Sequence, residues 1–126
     1  MPGKDVFDYA VIQVVPHVER GEYINAGVIL FCKTLRFLHA RVELDERRLL
    51  ALVTDADVAS IRAHLDAIPT ICQGAGPIGR LSQSQRFHWL TAPRSTVIQT
   101  SPVHCGLCDD PEATLDHLLE SLVRTA

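Results

Sequence analysis

Residues 8 to 15 read Asp-Tyr-Ala-Val-Ile-Gln-Val-Val and stop at Pro16. The run is apolar at nearly every position, Gln13 being the one polar intrusion. A strand of that kind belongs in the middle of a sheet covered on both faces. It constrains the fold more than any other segment, because the rest of the chain must be arranged to cover it. Residues 27 to 33, Gly-Val-Ile-Leu-Phe-Cys-Lys, form a second run of the same kind. Leu38, Ala40, Val42 and Leu44 then alternate with His39, Arg41 and Glu43, the period-two pattern of a strand with one wet face. Lys33 to Arg36 is short enough to join the second run to the third as a hairpin. The expectation is an antiparallel meander over residues 8 to 15, 27 to 33 and 37 to 43.

Helical spacing takes over after Leu44. Asp45 is placed to cap a short helix through about Val53, and Thr54 or Asp55 to cap a second in which Val58, Ile61, Leu65 and Ile68 recur at helical spacing. Pro69 has no amide hydrogen and crowds the carbonyl four residues back. The second helix is therefore expected to stop or kink there, with Ile71 and Cys72 after the bend. Near the C-terminus, Asp110, Pro111 and Glu112 make an N-cap, a first-turn proline and an acidic first turn. Leu115, Leu118, Leu119, Leu122 and Val123 follow as one apolar stripe.

Between these helices, residues 73 to 109 hold Gly74, Gly76, Pro77, Gly79, Pro93, Pro102 and Gly106 and offer two short strand candidates, Phe87 to Leu90 and Thr96 to Thr100. A connection that long with little regular structure is uncommon unless it has a job, which marks it as the functional segment. With 126 residues, 47% of them hydrophobic, and no internal repeat or low-complexity linker, the chain fits a single domain over residues 1 to 126. The expected class is α+β: a mostly antiparallel sheet, the early meander plus one or two later strands, with two middle helices and a C-terminal helix packed on it.

Twelve Lys and Arg against fifteen Asp and Glu leave a net charge of −3. That balance argues against a domain whose main work is neutralising a phosphate backbone, so nucleic acid is not an expected partner. No stretch approaches the ~18 apolar residues of a membrane span, and Met1-Pro2-Gly3-Lys4-Asp5 lacks the apolar run of a signal peptide, so the expected location is the cytoplasm. Cys32, Cys72, Cys105 and Cys108, in a chain able to build its own core, read as free thiols and not as a disulfide framework.

Two polar motifs separated by fifty residues carry a family likeness. The first is Tyr9-Ala-Val-Ile-Gln-Val-Val-Pro16 running into Val18-Glu-Arg-Gly-Glu-Tyr-Ile-Asn-Ala-Gly-Val28. The second comprises Gly79-Arg-Leu and then Trp89-Leu-Thr-Ala-Pro-Arg-Ser-Thr-Val-Ile-Gln99, closing on Ser101-Pro-Val-His-Cys-Gly-Leu-Cys-Asp-Asp-Pro111. Together they resemble the bacterial family catalogued as domain of unknown function 3037. The resemblance covers nearly the whole chain and implies no established activity. It does imply a partner, since members are often encoded beside a kinase related to the persistence toxin of the HipA type. Pro69 departs from the family pattern, which is continuously helical at that point.

The loop from Pro16 to Gly27 carries His17, Glu19, Arg20, Gly21, Glu22 and Asn25, more polar detail than a turn requires. It reads either as a solvated turn, in which Gly21 and Asn25 tolerate positive φ and Gly27 allows a bulge or close backbone approach, or as a contact surface. Arg94, Ser95 and Thr96 follow Pro93, with Gln99, Ser101 and His104 beyond. A guanidinium fork beside hydroxyls suits a carboxylate or phosphate. Alternatively, Arg94 pairs internally with Glu19 or Glu22. Cys105-Gly-Leu-Cys108 supplies only half of a tetrahedral zinc site, so no metal or other cofactor is expected. Ser95 or Ser101 with His104 lacks a nucleophile elbow. A nuclease built from Glu19, Glu22 and Asp109 or Asp110 would need those carboxylates to converge. Trp89, the only tryptophan, is expected to anchor the core or a hinge.

The favoured function is a non-catalytic binding or regulatory module, an accessory partner of a HipA-like Ser/Thr kinase by family resemblance. Glu19, Arg20, Glu22, Asn25, Arg94, Ser95, Gln99 and His104 would form its recognition surface. The alternative is a small enzyme acting on a phosphorylated or nucleotide substrate through the same surface. An enzyme requires a deep pocket of converging acid, base and anion-binding groups, whereas a binding module requires a shallow face beside exposed apolar side chains. Both require the early loop and the late arginine segment to come together.

Overall fold

The computed structural model describes residues 4 to 124. Strands β1 (Asp5–Val14), β2 (Ile24–Cys32) and β3 (Phe37–Val42) form the expected antiparallel meander. The sheet is ordered β3-β2-β1-β4, with β4 (Ile98–Thr100) antiparallel to the end of β1 and β5 (His104–Cys108) antiparallel to its start. β4 and β5 are two pieces of one edge. Ile12 faces Thr100, but Tyr9, three residues earlier, faces His104, four residues later, so the edge carries one extra residue around Pro102. The Ser101 hydroxyl closes that break by accepting the Val11 amide at 2.9 Å.

Alternation along β2 explains why it has no polar position facing water. Ile29 and Phe31 enter a core with Ile12, Val14 and Leu38, covered by α1 (Glu46–Leu52), α2 (Val58–Cys72) and α4 (Gln83–Thr91) through Leu49, Ile61, Leu65, Phe87 and Leu90. Val28, Leu30 and Cys32 point the other way, into a second core with Phe7, Cys108 and the α5 (Pro111–Leu122) side chains Leu115 and Leu119, joined by Val123. The middle helices and the C-terminal helix therefore lie on opposite faces of one sheet. No helix among the described residues is long and apolar enough to cross a membrane.

A bulge between β1 and β2 pairs Gln13 with Asn25 and leaves Ala26 over. Gly27 sits beside it for a steric reason: a Cβ there would lie 2.5 Å from the Arg41 carbonyl oxygen on β3. Asp45 caps α1 as expected, its carboxylate accepting the Arg48 amide, and Asp110 caps α5 by accepting from Glu112 and Ala113.

Three expectations change and one is resolved. The cap of α2 is Asp57, which accepts the Ser60 amide, and not Thr54 or Asp55. Of the two outcomes expected at Pro69, a stop or a bend with the helix going on, α2 does not stop and runs on to Cys72. Its last carbonyls, Ile71 and Cys72, are taken by the Arg86 guanidinium, so the turn after the proline is held from outside the helix. Phe87 to Leu90 lie in α4 and not in a strand, because Ser82 and Gln85 form a capping box that starts a helix there. Finally, residues 73 to 109 are not a long irregular loop: they hold the single turn α3 (Gly76–Gly79), α4, β4 and β5. Gly79 packs so closely on Gly74 that a Cβ would lie 2.2 Å from the Gly74 carbonyl carbon, a physical reason for glycine in Gly79-Arg-Leu.

Candidate functional site

The two polar motifs meet at one end of the sheet. Val15 donates its amide to the Val97 carbonyl at 2.7 Å, and Pro16 and Val97 line the same shallow cleft. The base of the early loop and the start of the late strand are therefore adjacent. Their charged side chains do not engage one another. At the loop tip, a short 3-10 turn over Val18–Arg20 ends on Gly21 at φ 71°, and Arg20 pairs with Glu22 at 2.5 Å. That contact holds the Glu22 carboxyl below the usual carboxylate range, by hydrogen bond first and charge second. Glu19 lies 3.7 Å from His17. All of these groups are exposed.

Asn25 turns into the fold. Its Nδ2 donates to the Leu122 carbonyl at 2.9 Å, one of the carbonyls that the last turn of α5 leaves free, while its Oδ1 is buried with no partner among the described residues. Gln13 stands beside Asn25 on one flank and Gln99 on the other, so three amides form a rung across β2, β1 and β4. The Gln99 side chain also donates to the Thr96 carbonyl at 2.8 Å. Gln13, the polar intrusion in an apolar strand, belongs to this rung.

Arg94 does not pair with Glu19 or Glu22. Its Nη1 donates to the Leu90 carbonyl at 3.0 Å and to that of Ala92 at 3.4 Å, and Nη2 donates to the Trp89 carbonyl. The guanidinium thus caps the C-terminal end of α4, where the helix dipole favours a cation. It also stacks on the Trp89 ring, 4.7 Å from the ring centre. Trp89 is 42% exposed and forms a surface platform, which excludes the core placement among the two, core or hinge, expected of it. Ser95 follows, exposed.

His104 lies elsewhere. It pairs with Tyr9, ring centres 5.4 Å apart, six residues along β1 from Val15. At about 3.3 Å per residue, that is roughly 20 Å from the loop. Asp109 pairs with Lys4 and Asp110 is occupied as a cap, so these carboxylates do not converge with Glu19 and Glu22. Cys105 and Cys108, three apart on an extended strand, point to opposite faces. Cys108 is buried under α5 and Cys105 is exposed. Burial pushes the Cys72 thiol up to about 12, and it raises Cys108 as well.

A cleft of about 540 Å³ lies between α2, α4 and β4. Ala67, Ile68 and Ile71 form one wall, Trp89 and Leu90 another, and Val97 to Thr100 the floor, with His64 and Arg94 at the rim. That volume lies within the range of ligand-binding clefts. Its lining carries one imidazole, one guanidinium and the hydroxyls of Thr96 and Thr100, without a carboxylate or thiol. Of the residues singled out from sequence, Arg94 and Gln99 reach this cleft. Ser95 flanks it, and Glu19, Arg20 and Glu22 stand on the adjoining loop. Trp89 and His64 were not among the candidates, and an exposed aromatic on a short helix has no signature in a single sequence. A family model described as protein of unknown function (DUF3037) matches residues 9–123. No curated protein and no solved structure matches the chain.

Proposed function

From the premise that this chain belongs to the DUF3037 family, we propose that it is a non-catalytic binding module whose partner protein docks at the end of the sheet where the two motifs adjoin. One observation carries the reading. Trp89, 42% exposed and stacked by Arg94, stands at the mouth of an apolar cleft that lacks a general base paired with a nucleophile. Exposed aromatic and arginine side chains beside apolar surface are the groups that dominate protein–protein contacts. The neighbouring exposed Val97, together with Val18 and Tyr23 on the early loop, supplies further apolar surface. The family resemblance supplies the partner class, a kinase related to HipA.

Co-expression of the chain with a HipA-like kinase, followed by tag capture and size exclusion, tests this. A complex that survives both steps and is lost on Trp89→Ala supports the proposal. Separate elution of two folded proteins overturns it.

A further inference from the structure

The cleft beside Trp89 continues into a second, smaller one. Both share His64 and Val97, and the second extends through Ile61, Ser60 and Asp57 to Pro16. Together they follow α2 from Asp57 to Ile71, a length of roughly 20 Å at 1.5 Å per helical residue. A compact small molecule fills a rounded pocket, whereas a trough of this length fits a polypeptide segment. The trough carries opposite charges, Asp57 on the lining of the smaller cleft and Arg94 on that of the larger, and most of the side chains between them are apolar.

Arg94 is the informative group. A guanidinium has five N–H donors, and the carbonyls of Leu90, Ala92 and Trp89 engage three of them. The Nε–H and one Nη2–H remain, enough for a two-point grip on a carboxylate. Among the described residues no carboxylate lies within ion-pair distance of Arg94, whose guanidinium bonds run to backbone carbonyls alone. The carbonyl bonds and the Trp89 face hold the plane of the group in place, so little side-chain entropy is lost when an acceptor arrives.

We propose that the groove along α2 receives a linear peptide segment of the partner, with apolar side chains in the cleft between Ala67 and Trp89 and a carboxylate on Arg94. The carboxylate is that of an acidic side chain within the segment. This rests on the binding-module reading and adds the recognised chemistry to it.

The test is selection of random peptides, displayed with free C-termini, on the intact immobilised chain, then titration of the synthetic consensus peptide against variants. Enrichment should converge on apolar residues at a fixed spacing from an acidic residue, and a motif fixed only by the free terminus overturns the inference. The consensus peptide should lose about tenfold or more in affinity on Arg94→Gln, a difference of about 1.4 kcal/mol. Because Arg94 also caps α4, Ala67→Trp provides a second variant: Ala67 is exposed on α2, and a larger side chain there fills the cleft without entering the core. It should abolish peptide binding while leaving the melting temperature near that of the parent. Absence of a consensus, a consensus without an acidic group, or unchanged affinity in folded Ala67→Trp overturns the inference. If Ala67→Trp still co-purifies with the kinase, this groove is not the docking site, and the binding-module reading survives on another face.

Discussion

On one face of the sheet a single helix, α5, is tied down along its length. Arg41 on β3 pairs with Glu112 and Asp116, Arg124 bridges Glu43 and Glu120, and Asn25 holds the Leu122 carbonyl. On the other face three helices share the surface and leave a cleft between α2, α4 and β4, with Trp89 and Arg94 at its mouth. The comparison teaches where polar groups are spent. The α5 pairs are partly exposed, so each contributes little stability, and their effect is to set where the helix sits while Leu115, Leu119 and Val123 supply the burial. On the cleft face Arg62 pairs with Glu46 between α2 and α1, while two other arginines cap helix ends, Arg86 on α2 and Arg94 on α4, and Arg94 keeps donors to spare.

The largest expected effect breaks the closed face. Leu115, 1% exposed, anchors α5, and Leu115→Ala should lower unfolding free energy by about 2 to 5 kcal/mol in denaturant titration. Thiol labelling of Cys32 and Cys108 beneath α5 should accelerate more than that of Cys72 on the other face. Equal acceleration at all three would mean that the faces open together. Next is Gly27→Ala, which places a methyl against the β3 backbone that both faces share. A loss of about 1 to 3 kcal/mol is expected, and an unchanged midpoint would show that β3 can shift away.

Asn25→Ala removes one hydrogen bond and also the unpartnered Oδ1, so the net loss should be roughly 1 kcal/mol. Hydrogen exchange should report it as fraying at the C-terminal end of α5, with the cleft face unaffected. A last effect appears only in alkali. Cys72 titrates near 12 when folded and near its ordinary value of 9.0 when unfolded, so above pH 9 the unfolded state releases a proton that the folded state keeps. Stability present below pH 9 should fall as pH rises toward 12, and Cys72→Ala should flatten that slope in melts taken from pH 8 to 11.

Much of the fold was legible because the signals were local. The meander followed from two uninterrupted apolar runs and one alternating run, and Asp45 and Asp110 declared their helices by capping chemistry. The capping box at Ser82 and Gln85 was equally local, and reading Phe87 to Leu90 by strand propensity alone obscured it. β5 was hidden for a different reason. His104 to Cys108 are mostly exposed at an edge and carry no alternating pattern, so only their pairing with β1 makes them a strand.

The chain by itself determined the class of fold, since an apolar run such as residues 8 to 15 can be satisfied only inside a sheet covered on both sides. It also carried the family likeness in its two motifs. Tertiary structure decided which residues of those motifs keep company. Arg94 turns back to α4 and Trp89, Asn25 turns inward to α5, and His104 falls roughly 20 Å away, because a side chain's partner is set by three-dimensional proximity and by which carbonyls are left unpaired. Neither quantity can be computed from spacing along the sequence.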